Sequence, residues 1–531
     1  MKNIVLISLY CLSFFTLHGQ DELNREVIDV VKDFRPKVML ANKINAQPLF
    51  IDTSKVSINL KYQVRFEEFR VYQNIDSLKA QEIDRLLLRS LYTKQLSLGL
   101  GNLLNPQLSL SISEGRNTTS MYHAFLKYNG AYSNSIPNDD QYSHLLMGAL
   151  MKKIFNPFIL NTRFSIKDIS RFDLSKNDYK NSVFSFNTNI NFNDSSKFYL
   201  PKSIFISSDF FLRDLRFSER NFVLNINHQG PHEQIKSWIF SNAFEFQRTN
   251  SKDYFHWTSD FKIEKDTDLT HFIFGLNIDL LVDQILIFPE LRITRQLIEN
   301  GLFSYLEMGG RRNLYSLQDI YLSNPYIQNS FFPSFLEDNL FSNTQYFARI
   351  GLNGNLFYGV SYQVSATATN DDNYMHFTSL ENPQDIFKNI PSFTSVNMAI
   401  FHADIEAELH EKLVSLLKVD IRTFDESLSY VPEIEIGLYT DYYYNEQWSL
   451  STSFRFLSVR TLLKNRSLEI NSFEQYNLPA ILDVNLSLDY AHTSMLGFYI
   501  KAKNLLNQDY VYWQEWPVLG RQFNFGAKYL F

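Results

Sequence analysis

Five ionisable residues alternate along one short stretch, His402, Asp404, Glu406, Glu408 and His410, with Phe401, Ala403, Ile405, Ala407 and Leu409 between them. Successive side chains on a β-strand point to opposite faces, so this peptide presents one polar, mostly acidic face and one apolar face. Histidine and carboxylate groups two residues apart on a strand can share a metal ion. A ladder of carboxylates facing water can also bias a pore toward cations. The plainer account is that a water-filled interior wants polar side chains, and we adopt it. No metal is assigned to the stripe.

A second group lies in the connection 312–343. Arg311 and Arg312 open it, and Tyr315, Tyr321 and Tyr326 follow, with Phe331, Phe332, Phe335 and several Asn. Aromatic platforms and amides suit sugars or peptides, and paired guanidinium groups suit a carboxylate or an anionic lipid. Packing among long surface loops asks for the same composition. The chain has no G-x-S-x-G elbow, no Gly-rich phosphate loop and no H-E-x-x-H pair. We therefore assign no catalytic residue and no cofactor, and do not read the chain as an enzyme.

The elements that hold these groups are strands. From Lys94 onward apolar and polar residues alternate: Val360, Tyr362, Val364, Ala366 and Ala368 share one face, and Ser361, Gln363, Ser365, Thr367 and Thr369 the other. Leu482, Val484, Leu486 and Leu488 alternate with Asp483, Asn485, Ser487 and Asp489 in the same way. Strands in soluble sheets average about five or six residues. These segments run about nine to thirteen, the length that crosses a bilayer at a tilt. Their expected starts lie near residues 94, 105, 118, 141, 157, 181, 202, 219, 234, 254 and 267. Eleven more lie near 284, 301, 344, 357, 397, 413, 433, 447, 481, 494 and 521. About twenty-two strands is an even number, as a barrel with both ends on the periplasmic side requires. Numbered from that side, the long connections 130–140, 169–180, 312–343, 370–396, 462–480 and 508–520 are all odd, hence extracellular. Even ones include tight links such as Asn353-Gly354-Asn355.

Composition agrees. Aromatic residues make up 15% of the 531, with 47 Phe and 30 Tyr against 5 Trp, which suits a lipid-facing surface with interfacial girdles. Mean hydropathy is −0.22. After the first twenty residues no apolar run reaches the length of a membrane-spanning helix. A net charge of −7 argues against a nucleic-acid partner. Lys2, the apolar core Ile4 to Leu17 and the small Gly19 mark residues 1–19 as an export signal. The only cysteine, Cys11, falls inside it, so the exported chain holds no disulfide. Residues 20–92 mix a compact start, a partly alternating Lys55 to Val64 and an amphipathic Asp76 to Leu91. They read as a short periplasmic or lumenal extension before the barrel, 93–531.

The last forty residues carry a resemblance. Asn504-Leu505-Leu506-Asn507 with Tyr510, then Pro517 to Arg521, precede a strand with Phe523, Phe525, Ala527, Tyr529 and Phe531 on one face. This resembles the end of TonB-dependent receptor barrels. The Phe-ended strand is similar to the signal read by the outer-membrane barrel assembly machinery, which marks Phe523, Phe525, Tyr529 and Phe531 as assembly residues. The resemblance implies a 22-strand transmembrane antiparallel barrel in a Gram-negative-type outer membrane. The implied role is solute uptake, with outer-membrane lipid, the assembly machinery and an envelope partner or the TonB system as partners. Residues 20–92 are too few for a full plug and show no TonB box, so the resemblance covers the barrel only. The alternative is a structural or scaffold barrel of a larger surface complex, with an outer-membrane enzyme ranked behind it.

Overall fold

The computed structural model describes residues 93–531, apart from short stretches of the connections such as 133–140, 328–341 and 381–387. The export signal and the extension expected over 1–92 lie outside the described residues, as does Tyr326. Strands dominate. The main hydrogen-bonded sheet holds 24 strands. Two of these, Arg460–Asn465 and Phe473–Leu478, form a hairpin attached to the sheet by a short parallel pairing to Val360–Leu380. The others make a closed antiparallel barrel of 22 strands. Each pairs with its successor, and the cycle closes where Lys94–Gly101 pairs with Gln522–Leu530. Closure matters because an open edge would leave backbone groups unpaired in lipid.

All but one of the strands begin within three residues of their expected starts. The exception is informative. Val360–Leu380 and Lys388–His410 remain paired far beyond the length needed to cross a bilayer, out to Leu380 opposite Lys388. Most of the connection expected over 370–396 is therefore strand, leaving 381–387 between the two. Alternation conceals this extension, because above the membrane the outer face turns polar. Asn370 donates to Asn397 (2.8 Å), Asn397 to Asp425 (2.6 Å) and Ser395 to Asp372 (2.5 Å). A register shift between Asp371 and Tyr374 further breaks the period there.

The two faces follow the sequence period. Leu98, Leu100, Phe274, Ile350, Phe401, Phe525 and Tyr529 are exposed outward, where a bilayer would cover them. Around the even-numbered turns stand Tyr442, Tyr443, Tyr444, Trp448 and Phe498, with Tyr529 stacked on Phe531 at 5.5 Å between ring centroids. That is an aromatic girdle at the end carrying both termini of the barrel. Phe531 is tied there by paired backbone bonds with Lys94, both 2.9 Å. One even connection, 193–202, is longer than the parity pattern expects. Asn193 tethers its start by donating to the Asn156 carbonyl at 2.7 Å.

The turn that carries the resemblance is a structural clamp. Asn504 and Asn507 have φ of 48° and 50°, in the left-handed region that Asn tolerates better than most residues. Asn504 is buried; its side chain donates to the Gln508 carbonyl (3.1 Å) and accepts from the Gln508 amide (3.0 Å). Asn507 accepts from the Arg521 amide at 2.8 Å, which holds the approach to the last strand.

Candidate functional site

A cylinder of this width needs something across it, since barrels of about 16–18 strands already enclose an aqueous channel. The odd-numbered connections supply a cover. The connection after Leu302–Leu314 begins with a helix, Leu317–Ser323. Ser316 caps it: its hydroxyl accepts from the Asp319 amide (2.9 Å), and the Asp319 carboxylate reaches back to the Ser316 amide (3.3 Å). Glu219, on a strand several places round the barrel, accepts from the amides of Leu317 (3.1 Å) and Gln318 (2.9 Å) and is itself buried. The helix is thus pinned to a distant part of the wall.

Its buried face, Leu317, Ile320 and Tyr321, joins one hydrophobic core with Val183 and Phe211 from the lumenal wall. The same core takes Phe377 from the extended strand pair, Tyr430 from the next odd connection, and Leu462 and Leu478 from the hairpin. Trp513, from the short ribbon before the last strand, meets Phe377 at 5.2 Å and Tyr430 at 4.8 Å. Contributors separated by many strands around the cylinder meet only by crossing its mouth. The loops form a packed roof.

One cation fastens the roof to the wall. Arg213 is fully buried, and its guanidinium lies 4.0 Å from the centre of the Tyr321 ring. It donates to the Ile327 carbonyl (2.6 Å) and the Asn181 side chain (3.2 Å), and pairs with Asp214 at 3.6 Å. A planar guanidinium can serve several acceptors while stacking on an aromatic ring.

Beneath the roof, lumenal charges form ladders. In one, His256 lies between Asp279 (2.7 Å) and Glu245 (3.4 Å), and Arg312 pairs with Asp279 at 3.3 Å. The other contains the upper half of the alternating stripe. His402 faces Asp420 at 2.7 Å and Asp404 at 3.4 Å, and Lys418 reaches Asp404 at 3.8 Å. Arg422 bridges Asp420 (3.2 Å) and Glu435 (3.5 Å), Arg455 meets Glu435 at 2.8 Å and donates to the Tyr512 hydroxyl at 3.3 Å. Three cations therefore balance Asp404, Asp420 and Glu435. Glu406 and Glu408 lie lower on the same face and are exposed, but a register shift between Glu408 and His410 sets His410 opposite the outward-facing Leu413, so the lumenal stripe expected over five residues ends at Glu408. Among the described residues no group of three or more His, Cys, Asp or Glu side chains converges as a metal site would require.

The aromatic loop residues are distributed differently from a ligand platform. Tyr321 is fully buried in the roof, and Tyr315 accepts from the Met375 amide at 3.2 Å. Arg312 is buried in its ladder, while Arg311 is exposed and donates to Gln345 at 2.9 Å. Arg213, Glu219 and His256 escape a reading of sequence, because each is a single polar residue at a position where alternation asks for one.

A pH response is built into the roof's flank. His376 lies beyond the point where the outer face turns polar, above the membrane-crossing segment. Its Nδ1 accepts from the Ser429 amide (3.3 Å) and Nε2 approaches the Thr394 hydroxyl (3.0 Å), which defines a neutral tautomer. Burial pushes the imidazole from 6.5 down to about 4. A base depressed in the folded state stabilises the fold above its unfolded pKa and loses that stability as pH falls toward the folded value. Lowering the pH from 7 to 4 is expected to cost the roof roughly 3 kcal/mol. Hydrogen exchange of the amides in 317–323, corrected for intrinsic rates, is expected to accelerate across that window. His376→Gln, which can make both bonds without titrating, should flatten the response.

No protein-family model and no curated protein sequence matches the chain. Solved structures do. The siderophore receptor PirA from Acinetobacter baumannii superposes with a TM-score of 0.61 at 10% identity, covering 82% of this chain and 80% of that one. The FrpB iron transporter from Neisseria meningitidis gives 0.62 at 10% identity, covering 83% and 81%. The copper transporter OprC gives 0.58 at 10% identity, covering 82% and 80%. The fold is thus the 22-strand barrel seen in TonB-dependent receptors, without its plug among the described residues.

Proposed function

We propose that this chain is an outer-membrane barrel for the passage or uptake of solutes, closed toward the outside by its own folded loops. The observation that carries this reading is the roof: a single hydrophobic core drawn from both sides of the mouth, over a polar lumen. A scaffold has no need of a sealed opening above a hydrated interior, whereas a transport barrel must be closed between transport events. The similar structures named for iron, siderophore and copper transport support the same class. Lipid surrounds the barrel and the assembly machinery inserts it through its aromatic last strand. The TonB system or another envelope partner would act from the end at which the chain enters the barrel.

The test is solute entry into liposomes holding the full chain, compared with a variant in which 317–323 is replaced by a flexible Gly/Ser linker of equal length. Swelling in a small sugar is expected to be slow for the parent chain and several-fold faster for the variant. A barrel that stays silent in both forms and co-purifies in fixed ratio with another envelope protein would favour the scaffold role.

A further inference from the structure

On the lumenal wall beside the closing seam, a hollow of about 300 Å³ opens between the strands Leu496–Lys503, Lys94–Gly101, Gln107–Glu114, Ser120–Ala131 and Gln141–Ile154. Two glycines make room for the Tyr499 ring at its edge. A Cβ at Gly99 or Gly526 would lie 2.3 Å or 2.2 Å from atoms of Tyr499, whose ring spans both. Around the hollow stand Lys127, Lys501 and Lys503, with Ser97, Asn129 and His144. Among the described residues no acidic side chain lines it.

Elsewhere on the lumenal wall Lys418, Lys262 and Lys528 each pair with a carboxylate, as do the arginines of both ladders. Lys127, Lys501 and Lys503 have no carboxylate partner among the described residues. Lys501 has its ammonium 4.7 Å from the Tyr499 ring centre, which holds it at the hollow. Three like charges around one cavity repel each other, and that repulsion is relieved when an anion enters. Ammonium, hydroxyl and amide donors together match the oxygens of carboxylate and phosphate groups. The volume is at the lower end of small-molecule sites, which limits the occupant to a compact solute.

We infer that this hollow binds a small, multiply charged oxyanion, a polycarboxylate or a phosphate-bearing solute, on its way through the lumen. The inference rests on the transport reading for its physiological role, and its binding test does not. Full-length protein in detergent is titrated calorimetrically with citrate and, separately, with inorganic phosphate. Saturable one-to-one binding of at least one is expected, and the stronger of the two identifies the headgroup. The combined variant Lys127→Gln, Lys501→Gln, Lys503→Gln should weaken it at least tenfold, while Lys180→Gln on another part of the wall should not. If the combined variant fails to assemble, judged by heat-modifiable gel mobility, Lys127→Gln and Lys503→Gln are compared singly. Absence of binding, or equal binding by the lysine variants, overturns the site. Binding without liposome entry leaves the site standing and removes the transport reading; entry without binding does the reverse.

Discussion

Replacing Arg213 by alanine is expected to unlatch the roof while the barrel still assembles. The guanidinium is fully buried and serves Ile327, Asn181, Asp214 and the Tyr321 ring together. Removing one partner of a buried ionic network typically costs about 3–5 kcal/mol, because the groups left behind are desolvated and unpaired. That loss falls on the contact between loop and wall, not on the strand ladder beneath it. A cysteine introduced at Asn187 reports the opening. It stands on the same lumenal face as Val183 and four residues further from the mouth, roughly 13 Å below the roof at strand rise. In a Cys11→Ser background, labelling on intact cells by a bulky, membrane-impermeant maleimide should rise at least tenfold with Arg213→Ala. Arg213→Lys keeps the charge but loses the fork and the stacking, so its rate should be intermediate. Unchanged labelling of an assembled Arg213→Ala barrel would mean that the roof does not depend on this latch.

The second large effect is expected at the seam, from Gly526→Val. A Cβ there would sit 2.4 Å from the Leu98 carbonyl oxygen as well as 2.2 Å from Tyr499 Cζ. Rotating Tyr499 could clear the ring, but the Leu98 carbonyl is backbone of the partner strand. The two strands whose pairing closes the barrel must therefore separate. Overpacking of a well-packed site usually costs about 1–3 kcal/mol, and here it opens an edge that lipid cannot satisfy. The heat-modifiable, membrane-inserted form should fall severalfold, whereas Ala527→Val, one residue on and facing lipid, should be tolerated. Equal assembled amounts of the two variants would show that the seam has slack.

Acid sensitivity through His376 belongs to the same picture as the Arg213 latch. Both act where loops meet wall, by leaving a buried polar group without a complementary partner. The ladders beneath differ in kind: His402 and Arg312 lie beside carboxylates on the polar wall. The upper members of the stripe, His402 and Asp404, pair with Asp420 and Lys418 on the neighbouring strand.

Strand number, strand starts and the assignment of faces were legible from the sequence because their cause is local. Alternate residues must meet lipid and water, and turns need residues such as Asn504 and Asn507 that tolerate a left-handed backbone. Alternation failed at the extended pair 371–380 and 388–396 and at the hairpin inside the connection expected over 462–480, where no lipid enforces it. The prominent residues of the long loop were visible too, but their roles were not. Tyr321 has the chemistry of a ligand platform and becomes a roof residue because Phe211 and Arg213 lie beneath it. The roof, the seam and the basic hollow were decided by tertiary structure alone. Each joins residues far apart in the chain, such as Val183 with Leu478, Gly99 with Gly526 and Lys127 with Lys501, and only closing the cylinder brings them together.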